Sequence, residues 1–150
     1  MFRWFRSRRL LDCPCCGFPT LGARGQYEIC PVCDWEDDGH DDANADVVMG
    51  GPNGQLSLTA ARANFAEHGY SQGLARFAID AADAELLAEP AEERGQLDAY
   101  VSRIRKGHET FDLRAFRRIF DRYNRAYSRQ TNEFIRSERR EYRRSRQMDD

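Results

Sequence analysis

The sequence predicts an α+β fold, with a small cysteine-rich β-hairpin head and a helical C-terminal half that contains one long amphipathic helix. All five cysteines of the 150-residue chain fall between positions 13 and 33. Short strand-like runs and turn residues surround them. After residue 55, apolar residues recur at three- and four-residue steps, which is typical of helices. We therefore divide the chain into a head, residues 1–55, and a helical region, residues 56–150.

The cysteines predict a metal site in the head. Two C-x2-C pairs, Cys13 with Cys16 and Cys30 with Cys33, are separated by thirteen residues. Two such turns form the closed tetrahedral S4 pocket that structural zinc prefers, so we expect a zinc-ribbon head that binds Zn²⁺. A rubredoxin-type iron site and unliganded or disulfide-bonded thiols are the alternatives. Four thiolates leave no open position for an activated water, and we interpret Cys15 as a bystander.

The rest of the head reads as a hairpin and a loop. Leu21, Tyr27 and Ile29 are strand-type residues, and residues 22–25 supply a turn, so a hairpin is expected over residues 18–29. Residues 34–54 are acidic and then glycine-rich, without helical periodicity, which predicts a loop.

Three segments of the C-terminal half read as helical. Ser57 is a candidate N-cap for a helix that runs to about His68 and stops at Gly69. Residues 70–95 are rich in alanine and acid, which suggests a linker or a partly helical connector. A second helix is expected over about 91–106.

Asp112 then caps the longest predicted helix, of about 30 residues. Its apolar stripe consists of Leu113, Phe116, Phe120, Tyr123, Tyr127, Phe134 and Tyr142. A stripe of this length must fold back on the preceding helix or dock on another chain, and a homodimer is one such solution.

An acidic run follows the second cysteine pair. Residues 12–50 contain nine acids and one arginine, a net charge of −8. We interpret part of this run as a surface for a basic protein partner, because complementary charge steers association. The candidate partner-binding residues are Trp35, Glu36, Asp37, Asp38, Asp41 and Asp42. A solvated loop and a calcium loop are the alternatives, and Trp35 could instead cover the zinc thiolates.

The C-terminal third is basic. Residues 101–150 contain fifteen bases and eight acids, a net charge of +7. A nucleic-acid-binding zinc protein that uses this arginine-rich helix is therefore the alternative function. Acidic residues interrupt the basic sequence, so a salt-bridged exposed face is also expected. These acids are Asp121, Glu133, Glu138 and Glu141.

The head resembles a known family. Cys-Pro-Cys-Cys-Gly at 13–17, the run Tyr-Glu-Ile-Cys-Pro-Val-Cys-Asp-Trp-Glu-Asp-Asp-Gly at 27–39 and the segment 57–65 are similar to the bacterial cysteine-rich CPCC family, over about residues 12–70. The resemblance implies a zinc-ribbon-like fold with the four paired cysteines as ligands. It implies no activity, but some members resemble accessory or immunity genes of bacterial toxin systems.

These features together predict a non-enzymatic, zinc-binding protein-interaction module. Its most concrete form is an immunity protein that neutralises a cognate basic toxin. No catalytic motif is present, and the three histidines, His40, His68 and His108, are interpreted as surface residues. The basic start has no apolar segment typical of a secretion signal, and no stretch is apolar enough to span a membrane, so a cytoplasmic protein is expected.

Overall fold

A computed structural model describes residues 9–73 and 90–148 of the chain. The chain divides into two compact units, Met1–Asp80 and Ala81–Asp150, which are considered separately below. Most of the connector predicted over residues 70–95 lies outside the described residues.

The head begins with a two-stranded antiparallel sheet. Strand β1, Leu11–Asp12, pairs with strand β2, Pro19–Leu21. The two strands flank the first cysteine pair. The second cysteine pair is flanked in the same way by an isolated antiparallel bridge between Ile29 and Glu36. The predicted α+β class, with a small hairpin at the cysteine cluster and a helical C-terminal half, is confirmed.

The position of the predicted hairpin is wrong. The expected hairpin over residues 18–29, with its turn at 22–25, does not form. Instead, the residues on either side of each cysteine turn pair with each other. Tyr27 adopts a left-handed backbone conformation, with φ of 58°, which interrupts an extended strand there. The Glu28 carboxylate accepts the Gly22 N–H at 2.7 Å and thereby closes the intervening loop by a side chain.

Helix α1, Leu58–His68, has the predicted ends. The Ser57 hydroxyl accepts the Ala60 N–H at 3.1 Å, which satisfies one donor of the first turn. At the other end, Gly69 has φ of 89° and its N–H donates to Phe65 O. A left-handed residue at this position favours glycine. A short 3-10 turn, Gly51–Asn53, precedes the helix within the predicted loop.

Helix α1 packs on the cysteine head and belongs to the N-terminal compact unit. Phe65 contacts Phe18 edge-to-face, with ring centroids 6.4 Å apart. Leu58 and Ala61 on the same helix are fully buried, as is Leu21 of β2. The sequence pattern grouped α1 with residues 56–150, whereas these contacts group it with the head.

The C-terminal unit contains helix α2, Ala91–Arg105, and helix α3, Leu113–Met148. The fold-back of the long helix on its neighbour is confirmed, because the apolar stripes of both helices are buried against each other. The residues concerned are Leu97, Tyr100, Val101, Phe116, Phe120 and Tyr123. The Tyr100 hydroxyl fixes the loop between the two helices. It donates to Asp112 O at 3.1 Å and accepts the Asp112 N–H at 3.0 Å.

Helix α3 extends well past its partner. Its last buried residue is Ala126, and the 20 following residues whose side chains are described, 127–146, are exposed or half-buried. Helix α2 is too short to cover them, since 15 residues span only about 22 Å. Among the described residues, no helix combines the length and apolarity needed to cross a membrane.

Candidate metal centre

The first cysteine pair lies on a tight turn closed by two backbone hydrogen bonds. The Gly17 N–H donates to Cys13 O, and the Cys13 N–H donates to Phe18 O, both at 2.9 Å. Gly17 has φ of 76°, a conformation that glycine adopts without the penalty of a Cβ. The turn directs the Cys13 and Cys16 side chains to one point.

The second pair repeats this geometry. The Asp34 N–H donates to Cys30 O at 2.8 Å, and the Cys30 N–H donates to Trp35 O at 2.9 Å. Asp34 occupies the position that corresponds to Gly17 and also has a positive φ, of 61°. Asp is among the non-glycine residues that tolerate this region, since its short polar side chain can bond locally.

The two turns bring four sulfur atoms together. The Sγ atoms of Cys13 and Cys33 are 3.7 Å apart, as are those of Cys16 and Cys30, and all four lie within 4.8 Å of one another. A tetrahedral site with metal–sulfur bonds of about 2.3 Å has sulfur–sulfur edges of about 3.8 Å. The arrangement therefore fits a tetrathiolate metal site, and the sequence prediction that these four cysteines cluster is confirmed.

The electrostatics of the cluster favour a cation. Hydrogen bonds with Cys16, Cys30 and Cys33 lower the pKa of the Cys13 thiol. Burial raises the pKa of Cys16 and of Cys33, because a desolvated site disfavours the charged thiolate. A divalent ion at the centre removes this conflict, since it stabilises the deprotonated sulfurs and displaces their protons.

Neighbouring groups hold the site in place. The Thr20 hydroxyl lies 3.0 Å from Cys30 Sγ. The Ser71 N–H donates to Cys33 O at 2.7 Å, and Arg62 of α1 donates to Pro14 O at 2.9 Å. The first turn is thus tied to α1 and the second to a residue just after the end of α1, which explains why α1 belongs with the head.

Cys15 is not a member of the four-sulfur cluster. Its side chain is buried, at 7% exposure. A third thiol in the first turn adds no ligand to a tetrahedron that four sulfurs already complete.

Half of the candidate partner-binding residues point inward. Trp35 and Asp37 are fully buried. Asp37 Oδ2 accepts Arg24 Nε at 3.0 Å and Gly25 N–H at 2.7 Å. The side chain of Asp38 is only 5% exposed and accepts Asn53 Nδ2 at 2.9 Å. The interpretation of Trp35, Asp37 and Asp38 as an exposed surface is therefore corrected: they organise the interior of the head.

The remaining candidates are accessible. Glu36 is half-buried, and Asp41 and Asp42 are exposed. Asp42 Oδ1 accepts Arg62 at 2.6 Å, although its side chain stays 89% exposed. Within the residues that the structure describes, the acidic loop forms no group of three carboxylates that could hold a metal ion, so nothing here supports the calcium interpretation.

His40 is buried, at 1% exposure, which corrects its interpretation as a surface residue. Its Nδ1 lies 2.7 Å from Asp38 Oδ1 and its Nε2 lies 2.9 Å from Val47 O. Both ring nitrogens face acceptors, an arrangement that suits the doubly protonated ring. Burial opposes the charge, but these bonds and the nearby Asp38 raise the pKa of His40 overall.

Sequence reasoning missed this internal network. Arg24 joins the acidic loop through Asp37 and through His40 O, at 2.6 Å, and Asn53 ties it to the 3-10 turn. Arg24 is the one arginine among the nine acids of residues 12–50, and a lone arginine in an acidic segment was the available signal that it pairs internally.

The sequence profile of the cysteine-rich CPCC family matches residues 11–85, half of the chain, and includes both cysteine turns and α1. No curated protein and no solved structure matches the chain significantly. The matched span contains all four cysteines of the cluster. The chain therefore belongs to the cysteine-rich CPCC family.

Proposed function

We propose that this protein is a non-enzymatic protein-interaction module whose head is held by structural zinc, and most concretely a bacterial immunity protein that binds a basic toxin. One observation carries the proposal: the segment 12–50, of net charge −8, presents large apolar side chains to solvent, and the two most exposed of them lie two residues apart. Tyr27 is 60% and Ile29 is 62% exposed. Exposed apolar residues rimmed by charge are typical of protein-binding surfaces.

The zinc assignment rests on the donor set. Four thiolates from two turns complete a tetrahedral site and leave no position for substrate or water, which is the arrangement of structural rather than catalytic zinc. The metal would hold the turns together and do no chemistry. Elemental analysis of the purified chain tests this: one zinc per chain is expected, and iron or no metal would contradict it.

The partner surface is centred on the bridge between Ile29 and Glu36. Residues that face each other across an antiparallel bridge project on the same side, so an apolar and an acidic side chain lie together here. Tyr27 adds an exposed aromatic ring two residues away, and aromatic residues are enriched in interface hot spots. Asp41 supplies further accessible negative charge, and Asp42 stays 89% exposed although it pairs with Arg62.

A co-expression experiment tests the proposal. The product of the neighbouring gene, if toxic when expressed alone, should be neutralised by this chain. Ile29→Arg combined with Glu36→Lys should abolish neutralisation and weaken binding at least tenfold, because both changes oppose a basic partner. Tyr142→Arg is the matched control, since this side chain is 64% exposed but lies in the other compact unit.

The outcomes are distinct. Neutralisation by the native chain and the control, but not by the double variant with its zinc retained, would support the proposal. If the double variant neutralised the toxin as well as the native chain, the proposed surface would be wrong. If no product of a neighbouring gene bound the chain, the immunity role would be wrong.

A further inference from the structure

The distal part of α3, residues 127–146, presents a basic face that the partner proposed for the head does not use. Arg136, Arg139, Arg140 and Arg143 follow the spacing i, i+3, i+4, i+7, which places them on one side of the helix. All four are exposed, and together they line one open recess along the helix.

These arginines are not neutralised. Within residues 9–73 and 90–148, no carboxylate lies within ion-pair distance of any of the four guanidinium groups. The expected salt-bridged face is therefore absent here. At 100° per residue, Glu138 and Glu141 lie about 200° and 140° from Arg136, on the opposite side of the helix. Only Glu133, at about 60°, borders the basic face.

The charge selects the class of partner. Residues 127–146 contain seven arginines and three glutamates, a net charge of +4. A second copy of the same segment would be repelled. Arginine forks pair bidentately with phosphate, and four on one face span about 10 Å along the axis, enough to contact successive phosphates.

An anionic membrane is a weaker match. An interfacial helix needs a continuous apolar side, but the side opposite the arginines carries Glu138 and Glu141 between Phe134 and Tyr142. Burying these carboxylates among lipid chains would be costly. A phosphate backbone requires no apolar side.

We propose that the distal part of α3 binds the phosphate backbone of nucleic acid through Arg136, Arg139, Arg140 and Arg143. Binding of this kind is governed by charge and is independent of base sequence, because contacts to phosphate oxygens carry no sequence information. For four phosphate contacts on duplex DNA, the slope of log K against log salt is about −3.6, so a change from 50 to 200 mM salt weakens binding about 150-fold.

The test uses the full chain, a labelled 20-base-pair DNA duplex and a 20-nucleotide RNA, with fluorescence anisotropy over a salt series. The variant R136Q/R139Q/R140Q/R143Q should lose at least tenfold in affinity for either probe, and its salt slope should become shallower by about 3 to 4. Glutamine is a good helix former, so the helix should persist, as circular dichroism would show.

Two controls separate the proposed face from general charge. The variant R136K/R139K/R140K/R143K keeps the charge and should retain most of the binding. E138Q/E141Q raises the net charge on the opposite side and should change affinity little. Equal affinity of the native chain and the glutamine variant would overturn the proposal, as would binding to vesicles of anionic phospholipid with none to either nucleic acid.

Discussion

The strongest prediction concerns two adjacent cysteines. Cys16 lies in the four-sulfur cluster and Cys15 does not, so Cys16→Ser and Cys15→Ser form a matched pair that differs by one position. Cys16→Ser removes one corner of the tetrahedron. Cys15→Ser leaves all four sulfurs in place and exchanges one small buried side chain for another.

The expected difference is large. A structural zinc site contributes about 10–16 kcal/mol to folding. A typical domain is stable by only about 5–15 kcal/mol, so loss of even part of the metal term should unfold the head. Serine at position 15 should cost about 1–3 kcal/mol, the usual penalty for a buried hydroxyl.

The assay combines zinc content with the fluorescence of Trp35. This ring is fully buried in the head, so its emission should shift to longer wavelength when the head unfolds. Substituting the other tryptophan, Trp4, by Phe isolates the signal. We expect one zinc per chain and native emission for Cys15→Ser, and a metal-free, solvent-exposed Trp35 for Cys16→Ser.

Two results would refute this reasoning. One is a Cys16→Ser protein that keeps one zinc per chain and native Trp35 emission, which would mean that three sulfurs suffice. The other is a Cys15→Ser protein that loses its zinc, which would place the fifth thiol among the ligands.

Three further predictions concern local geometry. Gly17→Ala should destabilise the metal-bound head by about 1–2 kcal/mol, because φ is 76° at this position, where a Cβ is strained even though the space around it is open. Competition with a chelator would measure the loss of metal affinity, and an unchanged affinity would contradict the prediction. NMR titration should give His40 a pKa above 6.5, lowered by Asp38→Asn. Since the pKa of His40 is raised and that of Asp38 is lowered, the pair should stabilise the head most between about pH 4 and pH 6.5, and lose this contribution as pH rises through the His40 value or falls through the Asp38 value. If His40 had the same pKa in the native protein and in the Asp38→Asn variant, the proposed pairing of His40 with Asp38 would be contradicted. Tyr100→Phe should lower the free energy of unfolding of the α2–α3 pair by about 1–3 kcal/mol, because the N–H and C=O of Asp112 both lose the Tyr100 hydroxyl. Urea unfolding would measure this loss, and an unchanged midpoint would show that water replaces the hydroxyl.

Features with a local signal could be predicted from the sequence. The spacing of the cysteine pairs indicated the four clustered residues, because each pair requires only a short turn. The helix ends at Ser57, Gly69 and Asp112 were also predictable, since a cap depends on residues within one helical turn.

Features that depend on distant partners could not be predicted. The inward orientation of Asp37 depends on Arg24, thirteen residues away, and that of Asp38 depends partly on Asn53, fifteen residues away. A run of acids has the same composition whether it is solvated or internally bonded. The strand positions failed for a related reason: nothing in the sequence marks Tyr27 as a residue of positive φ.

The overhang of α3 has a consequence for how this protein can change. Beyond Ala126 the helix continues for about 33 Å to Met148, and none of the following residues whose side chains are described, 127–146, is buried. Shortening or lengthening that segment, or changing its charged residues, would leave the packed contacts between α2 and α3 in place. Mutations in the distal part of α3 can thus change what it binds while the packing of α2 against α3 is kept.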